Sequence, residues 1–135
     1  MTFPRIRRRR TDETADRLAL AFAAFSYALG SAQLIRTGTV NRAMGIPDDD
    51  TNHTVQQGIG LRELASGTGL LLARRKAPWM WLRVAGDVMD LAVLGLVWAS
   101  GFGRRGRLLG AMAFIGLVLA ADVRAALRLA RAGGR

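Results

Sequence analysis

The residues best placed to do chemistry lie in WLRVAGDVMD, residues 81–90. Arg83, Asp87 and Asp90 stand there in an otherwise apolar run. Two carboxyl groups three residues apart can act as a coupled acid–base pair, one giving a proton while the other takes one. On a helix turning about 100° per residue, Asp87 lies at about +40° and Asp90 at about −20° from Arg83. The three therefore share one narrow stripe, which Leu94 and Val97 extend. A second segment, GLRELASG at residues 60–67, carries Arg62 and Glu63. The candidate catalytic residues are Asp87, Asp90 and Glu63. The candidate ligand-binding set is Arg62, Glu63, Arg83, Asp87, Asp90 and Tyr27.

These charges must be positioned by apolar segments. Half of the 135 residues are hydrophobic, and they fall in long blocks. Four blocks, 18–35, 55–73, 78–101 and 108–127, approach the roughly 20 residues that a helix needs to cross a hydrocarbon core. The expected fold is all-α, a four-helix transmembrane bundle. A basic tail at 1–17, a membrane domain at 18–127 and a second basic tail at 128–135 make up the chain. Between the blocks, GIPDDDTNHT (45–54) offers Asp50 or Thr51 as a helix cap. RRKAP (74–78) is a tight basic loop whose Pro78 suits a first helical turn. SGFGRRGR (100–107) is a glycine-rich break.

The net charge is +10. Basic residues cluster at the block ends, and aromatics are not interleaved among them, which speaks against nucleic acid as a partner. Arg5, Arg7 to Arg10, Arg17, Arg74, Arg75, Lys76, Arg124, Arg128, Arg131 and Arg135 would fall on one side of a four-span bundle. Only Arg36, Arg42, Arg104, Arg105 and Arg107 would fall on the other. The positive-inside rule then places both termini in the cytoplasm, in a bacterial inner membrane. A cleaved signal peptide is the rival reading of the first block. The acidic Asp12, Glu13 and Asp16 behind the arginines speak against it.

Antiparallel helices joined at residues 75–76 bring Arg62 level with position 89, within reach of Asp87 or Asp90. Glu63 lies about five residues, or about 7 Å of helix rise, from Arg83. Asp122 in the fourth block falls at about the depth of Arg83. Ser26, Tyr27, Gly30 and Gln33 form a mildly polar face of the first block. Gly60, Ser66, Gly67 and Gly69 let other helices approach closely. Two guanidinium groups thus meet four carboxyl groups. The surplus calls for a proton, a cation, a cationic ligand, water, or Arg124. A charge at the bilayer centre costs at least about 2.5–3.5 kcal/mol, so such residues pair with one another or serve a function.

The chain has no Cys, which removes thiolate metal sites and disulfides. The lone His53 follows Asp48, Asp49 and Asp50. Acid at a helix N-terminus accounts for that run better than a metal does. Neither a metal nor a cofactor is expected. Trp79, Trp81 and Trp98 suit an interfacial belt. No phosphate-binding loop or hydrolase motif is present.

Gly60, Arg62, Glu63, Ser66, Gly67, Pro78, Trp79, Trp81, Arg83, Gly86, Asp87 and Asp90 carry a resemblance. The middle third of the chain resembles a group of small four-helix bacterial membrane proteins, found alone or fused to cyclase/dehydrase-like lipid-binding domains. The resemblance implies an architecture and no reaction.

The leading functional expectation is a membrane accessory protein or a binder of a small or lipid-like ligand. Its ion-pair cluster would lie between the second and third helices. The expected partners are the lipid bilayer, such a ligand, and a second copy of the chain or a larger membrane complex. Two alternatives stand beside it. One is an intramembrane acid–base enzyme of the isomerase or epoxide-hydrolase type using Asp87 and Asp90. The other is a proton- or cation-coupled transporter working as an oligomer. A purely structural ion network would serve none of these.

Overall fold

The computed structural model describes residues 4–133, with side chains from residue 13 onward. The arginines expected in the N-terminal tail at positions 5 and 7–10, and Arg135, lie outside the described side chains. Five helices follow one another: α1 (Pro4–Ile35), α2 (Thr37–Met44), α3 (Asp50–Leu72), α4 (Ala77–Ser100) and α5 (Arg105–Gly133).

The all-α expectation holds, but the four-helix transmembrane bundle does not. Only two segments, Glu13–Ile35 in α1 and Arg105–Gly133 in α5, are long and apolar enough to cross a membrane. The physical reason lies in the residues that make the middle of the chain interesting. Every 18-residue stretch of α4 contains Arg83, Asp87 and Asp90. In α3, Gln56, Gln57, Arg62 and Glu63 dilute the apolar content. The cytoplasmic placement of both termini rested on four crossings and falls with them.

The fifth helix is α2, which the sequence reading passed over. It is a single short element, set off from α1 by Arg36 alone and closed by Gly45 at φ 80°. Glycine tolerates that left-handed backbone where a Cβ would clash. Gly45 N–H bonds to the Arg42 carbonyl at 3.2 Å, and Ile46 N–H to that of Asn41 at 2.9 Å. The cap of α3 is Asp49, one residue earlier than expected. Its extended backbone lets the carboxylate accept from Asn52 N–H at 2.8 Å. Pro78 sits in the first turn of α4 as the basic loop implied.

The long helices associate as two antiparallel pairs, α1 on α3 and α4 on α5. Small residues bring the first pair together. A Cβ on Gly30 would stand 2.7 Å from the Gly60 carbonyl oxygen, and one on Gly67 would stand 3.2 Å from that of Ala23. Tyr27 and Thr68 link the same helices through their hydroxyls at 2.6 Å. Two apolar clusters cap the ends of the bundle. One gathers Ala23, Leu70, Met80, Ala126 and Leu129, and the other Ile46, Leu94, Leu108 and Ile115. Between them the interior is polar.

The outer surface is the reverse. Only 28% of the apolar window in α1 and 22% of that in α5 is buried within the protein. Leu20, Leu96, Leu109, Phe114 and Leu117 are all exposed. A water-soluble bundle would turn such helices inward, because exposed apolar area of this extent is unfavourable in water.

At the α2–α3 junction, Asp48 takes a hydrogen bond from Arg42 and contacts the His53 ring. The His53 contact, with Arg42 adding to it, holds the Asp48 carboxyl below the usual range. A lowered carboxyl contributes stability above its unfolded pKa of about 3.9, and the contribution is lost as pH falls through the folded value. The thermal midpoints of Asp48→Asn and the parent should therefore differ near neutrality and converge as pH falls below about 4. Close packing makes a second prediction. Gly30→Ala should destabilise by about 1–3 kcal/mol through overpacking. Gly58→Ala, where nothing lies within 4 Å of the added carbon, should be neutral or slightly stabilising in the same thermal unfolding measurement.

Candidate functional site

The polar interior is organised by Arg83, which is 1% exposed. Its position on the inner stripe of α4 points the guanidinium at three other helices. Nη1 donates to Glu63 Oε2 on α3 at 2.7 Å, and Nε donates to Asp122 Oδ2 on α5 at 2.8 Å. The Ser26 hydroxyl on α1 accepts a further bond from Nη1. The rings of Phe22 and Phe25 each lie 5.6 Å from the guanidinium carbon, close enough for cation–π attraction.

Arg62 extends the chain of charges. It donates to Glu63 Oε1 at 3.0 Å, and reaches across to Asp90 with two bonds of 3.0 and 3.3 Å. Its guanidinium lies over Gly86, where any Cβ would collide with it. The result is an alternating series, Asp90, Arg62, Glu63, Arg83, Asp122, in which every carboxylate touches a guanidinium.

The level assignment from the short α3–α4 loop thus brought Arg62 to Asp90 and Glu63 to Arg83. The cluster links α3 and α4, not the second and third helices, because α2 enters the order. It continues to α5 through Asp122. Arg124 is exposed and takes no part among the described contacts. Tyr27 is half-buried and bonds to Thr68 rather than to the charges. Phe22 and Phe25 were not foreseen; an aromatic in an apolar helix carries no mark of a cation partner.

Asp87 stands outside the series. It is 4% exposed, lies against the Asp122 carboxyl, and has one oxygen, Oδ2, with no hydrogen-bond partner. Asp87 and Asp90 therefore do not form the matched pair that their spacing suggested. One is held by a guanidinium and the other is not.

Asp87 lines a cavity of about 260 Å³ between the two helix pairs, together with Arg83 and Asp90. All five helices contribute to its wall, which is mostly apolar: Phe25, Leu29, Val93, Phe114 and Ile115 are among its side chains. Gln33 and Gln56 also line it. They are 4% and 2% exposed, and Gln33 Oε1 and Gln56 Nε2 have no partner. Buried polar atoms normally find partners; of the seven without one among the described residues, three belong to side chains that line this cavity, and the others are on Asn41, Arg62 and Ser66. A wider surface depression of about 490 Å³ lies near Pro47, Asn52 and Phe102. It contains none of the ionic cluster and carries no such signal. Among the described residues, no group of His, Asp and Glu is arranged to hold a metal ion.

Comparison with family models, curated proteins and solved structures finds no match to this chain.

Removing one member of a buried ion pair leaves its partner uncompensated, at a cost of about 3–5 kcal/mol. Arg83→Met should cost about that much, because it strands both Glu63 and Asp122. Adding Glu63→Gln and Asp122→Asn to it should recover a large part of the loss. Arg62→Met, at a site 15% exposed, should cost less than Arg83→Met in the same denaturant titration.

Proposed function

We propose that this protein is a membrane-associated, non-enzymatic binder of a small lipid-like ligand, held in the cavity between the α1–α3 and α4–α5 pairs. The observation that carries this reading is a mostly apolar cavity lined by Gln33, Gln56 and Asp87, side chains that each hold a buried polar atom without a partner. Apolar walls with a few converging polar groups are the usual make-up of a small-molecule site. The setting of Asp90 favours binding over acid–base catalysis. A catalytic pair would need both carboxyl groups open to substrate, whereas Asp90 is engaged by Arg62.

The apolar exteriors of α1 and α5 support a membrane location, in this reading the bacterial inner membrane. A ligand could then enter laterally from the lipid. The resemblance to small bacterial membrane proteins rests on residues 60–67 and 77–91, the same segments that build the ion series. A second copy of the chain is a natural partner for the apolar faces of α1 and α5.

Native mass spectrometry of the protein purified in mild detergent tests the reading. The parent should retain a small apolar compound. Ala111→Phe, which places a ring in the cavity, should lose it while keeping the thermal midpoint of the ligand-free parent. A ligand at about 100 times its Kd adds about 2.7 kcal/mol of stability, so added ligand should raise the parent's midpoint and not the variant's. A parent that retains nothing, and that no amphiphile stabilises, would sink the reading.

A further inference from the structure

The two ends of the bundle treat their cations differently. Ala23, Leu70, Met80 and Leu129 pack together, so the N-terminal part of α1, the α3–α4 loop and the C-terminal part of α5 share one end. The α2 end lies opposite, where Arg104 N–H bonds to the Gly45 carbonyl. There Arg42 binds Asp48, Arg107 donates to the Arg42 carbonyl at 2.7 Å, and the Arg105 guanidinium lies 5.0 Å from the centre of the Trp98 ring. Arg36 and Arg104 are exposed, and Asp48, Asp49 and Asp50 stand at the same end.

At the α3–α4 loop end, Arg74, Arg75, Arg124, Arg128 and Arg131 are all exposed, and none has a side-chain partner among the described residues. The described carboxyl groups here are Asp16 and Glu13, and Arg17 binds Glu13 at 2.6 Å. Guanidiniums gathered with so little counter-charge set up a positive field over that end.

The surface next to these arginines defines the partner. Arg124, Arg128 and Arg131 follow at i, i+4 and i+7, on the face of α5 that also carries exposed Leu117 and Ala121. One stripe thus passes from apolar to basic within a turn. Exposed Leu20 and Arg17 repeat the change on α1, and exposed Leu72 and Arg74 repeat it where α3 ends. A soluble polyanion would meet the basic half and leave the apolar half in water. A neutral apolar partner would do the reverse. A bilayer with anionic head groups meets both halves, acyl chains against the leucines and phosphate oxygens against the guanidiniums.

Resting on the membrane location argued above, we propose that this end of the bundle docks on anionic phospholipid head groups, with Arg124, Arg128 and Arg131 as the main contacts and Arg74 and Arg75 beside them.

Native mass spectrometry of the full chain in neutral detergent tests the proposal. Phosphatidylglycerol and phosphatidylcholine with identical acyl chains are added in equal amounts. The parent should retain phosphatidylglycerol over phosphatidylcholine by at least about five-fold, the factor that one arginine near such a surface supplies. Arg124→Gln, Arg128→Gln and Arg131→Gln together should bring the two lipids level. Arg36→Gln with Arg104→Gln, at the opposite end, should leave the preference unchanged. High salt should erase most of the preference on the parent, a readout that needs no variant. Equal retention of the two lipids by the parent overturns the proposal, as does a preference that survives the triple substitution or high salt. A single-stranded oligonucleotide that displaces phosphatidylglycerol from the parent also overturns it, and marks a nucleic-acid surface instead. Each of these outcomes leaves the cavity reading, which Ala111→Phe tests, standing. If neither lipid is retained, the membrane location and this surface both fail.

Discussion

A guanidinium taken out of water must have every donor met or the fold that buries it does not persist. Arg83 is in that position, and the answer comes from three other helices. Ser26 on α1, Glu63 on α3 and Asp122 on α5 converge on it. Each of these residues is itself buried, so none can move to solvent if the others shift. The interaction therefore fixes the rotation of four helices at once and the levels at which they meet. The hydrophobic effect, which has no direction, cannot do that alone.

The small residues follow from the same demand. Charged groups in a low-dielectric interior attract strongly only at short range, and short range needs helix axes close together. Gly30 and Gly60 allow this between α1 and α3. Gly86 gives the Arg62 side chain the space it crosses to reach Asp90. Where glycines and charges draw the helices in, packing is tight. Between the two helix pairs, toward Gln33 and Phe114, there is no such contact, and the cavity remains.

The buried residues are about as often polar or charged as apolar, and α1 and α5 leave most of their apolar stretches facing outward. Among the described residues the interior leaves polar atoms of Gln33, Asn41, Gln56, Arg62, Ser66 and Asp87 without partners. A partly satisfied buried network is a costly arrangement. Three of these side chains, Gln33, Gln56 and Asp87, line the cavity between the two helix pairs.

Much of this was legible in the linear chain. Helical periodicity alone put Arg83, Asp87 and Asp90 on one stripe, because the angle between successive residues is fixed by the backbone. The short loop at residues 73–76 fixed the level of Arg62 against Asp90, because a tight turn leaves little freedom in register. Helix α2 was hidden by its length, since eight residues barely exceed two turns and carry no long apolar period. The count of membrane spans was misjudged for a related reason. Long blocks in α3 and α4 looked continuous, yet their charges and amides lower their affinity for lipid and are better met by the protein interior. Only the tertiary structure decided which carboxylate each arginine took. Spacing placed Asp87 and Asp90 as equals, but Arg62 reaches across Gly86 to Asp90, while Asp87 meets Asp122 from another helix. Which group is left without a partner depends on side chains brought together from distant parts of the chain, and no local pattern encodes that.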